Sequence, residues 1–205
     1  DRKMEKRRIE EEKELKSLKR VKIGSIIIIA AIAAAIVISI GMSAYTKYAA
    51  VHNTYVKIGD HEITKVEYDY YYNNAVNSYL SMYGSYLPYM GLDTSKDFAQ
   101  QQYTDNMTWK DYFDQMAVSQ LTQVKAIVDD SAEQGFTYDD TDDMAAFETE
   151  FAAQAETESV SASELYSNMY GDNATKDRIL PYVKENMLAN AYYEHLTEVN
   201  KPGDE

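Results

Sequence analysis

Hydrophobic and polar positions divide the chain into blocks. From Ile23 to Thr46 there is no charged residue, and the run IGSIIIIAAIAAAIVISIGMSAYT contains nine isoleucines. A membrane span needs about 20 apolar residues to cross a hydrocarbon core of roughly 30 Å. Ten Ile/Val side chains at about −0.3 to −0.6 kcal/mol each favour insertion by roughly 3–6 kcal/mol, and no charge opposes them. The pattern predicts a transmembrane helix over 23–46. The run exceeds the 7–15-residue core of a cleaved signal, so it reads as an uncleaved anchor, although small residues at Gly41–Ala44 leave cleavage open.

Beyond a short juxtamembrane linker, 47–55, the pattern changes. Val56–Ile58 and Glu62–Ile63 flank Gly59-Asp60, a pair suited to a tight turn, which predicts a β-hairpin. Thr64 and Glu67 have capping-box spacing and predict a helix running to about Met82. Gly84, Pro88 and Gly91 break the next stretch into a loop. Trp109, Tyr112, Phe113, Met116, Leu121, Val124, Ile127 and Val128 form a stripe at helical spacing, so a second helix should start after Thr108 and end on Gly135 as a left-handed cap. A third, capped by Thr141 or a neighbouring Asp, should turn Met144, Phe147 and Phe151 inward. Ser161 and Glu164 cap a fourth, ending near Gly171. The last spans about 175–199, with Leu180, Val183, Met187, Ala191 and Leu196 on one side; Pro181 should kink it or move its start to about Leu180. The tail 201–205 reads as a linker or truncation point. The expected class is mostly α: a transmembrane helix, then a multi-helix domain over 56–200 that opens with a short β-hairpin.

Charge orients this arrangement. Residues 1–22 carry ten Lys/Arg against six acids, while the other 183 residues carry ten against 28. The cationic segment 1–22 should stay cytoplasmic and the acidic body should lie outside. Residues 1–22 read as a solvated, charged continuation of the membrane helix, since their apolar positions are too few for a coiled coil. An acidic body repels phosphate backbones, which argues against nucleic acid as a partner. The absence of Cys removes disulfides, thiolate metal sites and cysteine nucleophiles.

No catalytic constellation is legible. His52, His61 and His195 lack metal-ligand spacing, and no phosphate-binding Gly loop or nucleophile elbow occurs. Asp139, Asp140, Asp142 and Asp143 do not make a calcium loop, because Met144 occupies the position that needs Gly. No catalytic residue, metal or cofactor is therefore expected.

Tyrosine is the unusual feature, at 19 of 205 residues. Tyr presents an apolar body with a polar tip, and Met adapts its shape to varied partners. Tyr79, Met82, Tyr83, Tyr86, Tyr89 and Met90 are the candidate polypeptide-binding residues. Core packing is the stronger reading for Tyr68, Tyr72, Tyr79 and Tyr83. For Tyr86, Tyr89 and Met90, in a Gly/Pro loop, exposure and packing weigh equally.

The segment VKIGDHEITKVEYDYYY resembles the opening of SurA/PrsA-type foldases, at Val56, Ile58, Gly59, Ile63, Thr64, Lys65, Glu67 and Tyr68. The later helix order is similar too, so the resemblance covers about residues 54–200. It implies a SurA N-terminal-like chaperone fold that holds unfolded secreted polypeptides outside the cytoplasm. Many members carry a parvulin-type prolyl isomerase domain after this region, and chain from beyond that domain often completes the helical lobe. This chain stops where the isomerase would begin and lacks the lipidated Cys of the PrsA type. Three functions are expected from these features: a membrane-anchored chaperone at the bacterial cell membrane, single-pass, with unfolded polypeptides and membrane lipid as partners; the chaperone-like part of a prolyl isomerase whose catalytic domain lies downstream; or a bitopic scaffold in a secretion or envelope complex.

Overall fold

The computed structural model describes residues 42–199. The expected cytoplasmic segment 1–22, the expected membrane helix as far as residue 41, and the tail 201–205 lie outside the described residues. Among the described residues, no helix is long and apolar enough to cross a membrane. The chain divides into two units, Asp1–Tyr48 and Ala49–Glu205. Residues 42–52 are helical, so helix replaces most of the expected linker. The elements below belong to the second unit.

A hairpin of β1 (Thr54–Ile58) and β2 (His61–Thr64) opens the domain, with Val56 opposite Ile63 and Ile58 opposite His61. Gly59, at φ 58°, supplies the left-handed backbone that the turn requires. Helix α1 (Lys65–Tyr83) comes next, and the Thr64 hydroxyl accepts from the Glu67 N–H at 3.3 Å. The reciprocal half of the expected capping box is missing. The Glu67 carboxylate turns into the core instead, to Lys125 on the next helix. A 3-10 helix, Gly84–Met90, stands where a loop was expected, with Leu87 buried beneath it.

The stretch from Gly91 to Thr108 has its own order. The Gln101 amide accepts from the Asp93 N–H at 2.7 Å and donates to the Asp93 carbonyl at 2.9 Å. Strands β3 (Gln102–Thr104) and β4 (Met107–Thr108) pair and lead into α2 (Trp109–Glu133). Thr108 and Asp111 form a full capping box there. Its buried stripe is Trp109, Phe113, Ala117, Leu121 and Val124. The helix ends as expected on Gly135, at φ 68°, with the Phe136 N–H returning to the Ser131 carbonyl.

Helix α3 (Thr141–Glu158) buries Met144 and Phe151, and the Asp139 carboxylate accepts from the Thr141 N–H at 3.1 Å. Helix α4 (Ala162–Tyr170) carries the expected Ser161–Glu164 box. Helix α5 (Lys176–Val199) starts before Pro181, which lies inside it rather than at its head. Its buried face is Ile179, Val183, Ala189 and Tyr192; of the expected positions only Val183 is buried. Tyr192 wins a core place because its hydroxyl finds Asp130 at 2.8 Å.

Helix α1 packs on α2, α4 and α5, and α2 packs on α5. Two cores result. The larger joins Ile63, Tyr71, Leu121, Leu165 and Ile179 with α3 and α4. The smaller gathers Val76, Tyr79, Leu87, Leu92, Trp109 and Phe113 where α1 ends and α2 begins.

Candidate polypeptide-binding surface

The smaller core is built around packed rings. Tyr79 lies 4.4 Å from Tyr83, 5.5 Å from Phe113 and 5.6 Å from Trp109, measured between centroids. Tyr103 stacks on Tyr112 at 4.3 Å and meets Trp109 edge-on at 4.6 Å. Such tilted and edge-to-face pairs add roughly 0.5–1.5 kcal/mol each beyond area burial. Burial pushes the Tyr79 hydroxyl up to about 12 and raises that of Tyr112. The Trp109 indole N–H is buried with no hydrogen-bond partner. Ring packing therefore outweighs polar satisfaction here.

This foundation carries the 3-10 helix on its outer side. Leu87 and Leu92 point inward, and the Leu92 N–H returns to the Leu87 carbonyl at 3.0 Å. The neighbouring side chains point out: Met82 is 75% exposed, Tyr86 68%, Tyr89 89% and Met90 39%. A shallow cleft of about 510 Å³ lies beside them, lined by Leu87, Pro88, Leu92, Asp93 and Thr94. The Asp93 carboxylate at its edge is held well below the usual range by the Lys96 ammonium and by Ser95. The 3-10 helix and the end of α1 thus carry exposed rings and thioethers beside a packed base, with the Asp93 carboxylate at the cleft edge.

Of the candidate residues, Met82, Tyr86, Tyr89 and Met90 are exposed. Tyr79 is buried and Tyr83 half-buried, so these two support the face from beneath. The Tyr79 hydroxyl reaches the Met90 sulfur at 3.8 Å and links the two layers. Tyr68 is buried, its hydroxyl donating to Asp114 at 2.5 Å, and Tyr72 is half-buried. Sequence reasoning missed Tyr103, Leu87 and Leu92. They sit in segments without periodicity, and only the Gly and Pro residues around Leu87 hinted at a shaped loop.

The groups that resemble catalytic or metal sites have structural partners. His61 lies 2.9 Å from Asp129, and His195 packs on Phe136 at 5.3 Å. Asp140 pairs with Lys184, and Asp143 accepts from the Tyr138 hydroxyl. Among the described residues, no group of three His, Asp or Glu is placed to hold a metal ion.

A family model for the SurA-like N-terminal domain matches residues 15–192. No curated protein matches the chain, and no solved structure does. The match takes in the opening hairpin, the aromatic base, the exposed 3-10 helix and α5 as far as Tyr192, and it brings a chaperone-like role with it. The chain belongs to the SurA-like N-terminal domain family.

Proposed function

We propose that the domain holds unfolded or newly secreted polypeptides at the Tyr/Met face, tethered to the outer side of a bacterial cell membrane by the helix over 23–46. The observation that carries the reading is the exposure of Met82, Tyr86 and Tyr89 on a base whose own rings are packed. Burying half of a tyrosine's 150–250 Å² at about 25 cal/mol/Å² yields about 2–3 kcal/mol. Two or three such contacts, against an association cost of at least about 4 kcal/mol, give weak and reversible holding. That is the range a chaperone needs to release its client. Sequence tolerance comes from the chemistry, since a ring face and a thioether accept many apolar side chains. The acidic surroundings keep the face soluble and favour basic chains.

The reading is tested by suppression of aggregation of an unfolded model protein. The full chain in detergent should suppress it, and the triple variant Met82→Ser, Tyr86→Ser, Tyr89→Ser should lose most of that effect while melting at the same temperature. Equal suppression by the two proteins would remove the face from the mechanism. The tether is tested by alkaline carbonate extraction of bacterial membranes, where the chain should remain in the pellet.

A further inference from the structure

We propose that the cavity bounded by α1, α2 and α5 receives one basic side chain, an arginine or lysine, of a bound polypeptide. The Lys125 ammonium on α2 lies 2.7 Å from Glu67 Oε1 on α1 and 2.6 Å from Glu185 Oε1 on α5. The three side chains are only 12%, 8% and 18% exposed. Two carboxylates thus share one ammonium, and the cluster has an excess of one negative charge. Lys184 does not cancel that excess, because both of its 2.9 Å contacts are to the carboxylate oxygens of Asp140. The second Glu185 oxygen has only a long contact, accepting from the Tyr71 hydroxyl at 3.5 Å, and the Tyr71 oxygen accepts in turn from the Asn186 amide at 3.0 Å. Burial pushes the Glu67 carboxyl above its ordinary range, although Lys125 pulls it down. An excess buried charge is costly and calls for a counter-charge.

The cavity has the lining for a cation with a long stem. Its volume is about 560 Å³, inside the range of small-ligand sites. Phe136, Pro181, Tyr182 and Leu188 give it apolar walls, and Glu185 and Lys184 stand at its polar side. A lysine or arginine places methylenes on such walls and its charge at the far end. A guanidinium can also take both oxygens of one carboxylate. A divalent metal fits worse, because the Lys125 ammonium occupies the space between the two carboxylates. A second cavity, of about 600 Å³, meets this one at Phe136 and Thr137 and carries Asp130 and His195, which leaves room for chain on either side of the bound residue. This site stands apart from the Tyr/Met face and does not depend on it.

The test uses N-acetyl-Gly-Arg-Gly-amide and its citrulline counterpart, titrated into the full chain in detergent and followed by calorimetry and by NMR shifts of Leu188. The arginine peptide should bind saturably, about tenfold or more tighter than the uncharged citrulline peptide. Glu185→Gln should abolish that preference, and Leu188→Trp, which fills the cavity without touching the charges, should block both peptides. If Glu185→Gln fails to fold, the Leu188→Trp variant and the peptide pair decide the matter. Equal affinity for the two peptides, no saturable binding, or unchanged binding in Leu188→Trp would overturn the proposal. The Tyr/Met triple variant should bind the arginine peptide normally, so failure here and failure of the aromatic face are separable.

Discussion

The two cores of this domain use tyrosine in opposite ways. In the larger core the rings are inside, and two of their hydroxyls have partners across helices: Tyr68 donates to Asp114 and Tyr71 accepts from Asn186. A buried charge cluster, Glu67–Lys125–Glu185, ties α1, α2 and α5 together there. In the smaller core the rings mostly meet one another, and outside it Tyr86 and Tyr89 stand exposed on the 3-10 helix. Whether a tyrosine is structural or available thus depends on whether the fold supplies both a ring neighbour and a hydroxyl partner. The difference separates the residues that hold the domain together from those it can offer to a client.

The sharpest way to break this comparison is to attack the charge cluster. Lys125→Met would leave two carboxylates buried without their cation, and should cost about 3–5 kcal/mol in urea denaturation. Glu67→Gln removes the excess charge and should change stability by less than about 1 kcal/mol, because Glu185 still holds Lys125. If both variants cost the same, the cluster does not carry the imbalance described. The aromatic base comes next: Trp109→Ala should cost about 3–5 kcal/mol through the cavity it leaves. It should also lower client binding, since the 3-10 helix loses its floor.

A smaller effect concerns pH. The hydroxyls of Tyr68, Tyr70, Tyr71 and Tyr170 are raised by burial above their ordinary value of 10.0. Burial acts to lower Lys125, but its two carboxylates outweigh that, and the net shift from 10.5 is upward. In every one of these groups the folded state holds its proton more tightly than the unfolded state. Their contribution is complete below about pH 10 and is lost as pH rises through the folded values. Thermal midpoints should therefore fall steeply above about pH 10, with tyrosine ionisation, read by ultraviolet absorbance, appearing together with unfolding. Early ionisation of all 19 tyrosines in a folded protein would contradict the burial of this core. The smallest expected change is in the outer face: Tyr86→Ser with Tyr89→Ser should leave stability within about 0.5 kcal/mol per site.

Much of the fold was legible because it is written in local rules. The hairpin turn at Gly59, the Ser161–Glu164 box, the Gly135 cap and the α2 stripe each depend on residues within a few positions. The failures occurred where tertiary contacts compete with those rules. Glu67 has capping-box spacing, but a buried lysine 58 positions later is the stronger partner. Helix α5 carries apolar side chains on more than one side, so its inward face was decided by the partners α2 offers, Asp130 for Tyr192 included. Of the candidate site, the cluster from Tyr79 to Met90 was visible as composition. Which rings face out was not, because that depends on Leu87 and Leu92 anchoring the 3-10 helix and on Tyr103 arriving from β3.

The most direct test of the client-holding account is site-specific crosslinking. A photoreactive phenylalanine analogue placed at Tyr89 should capture an unfolded client and not its folded form, whereas the same group at the exposed Glu150 on α3 should capture neither. Capture from Glu150 equal to that from Tyr89, or equal capture of folded and unfolded client, would contradict it.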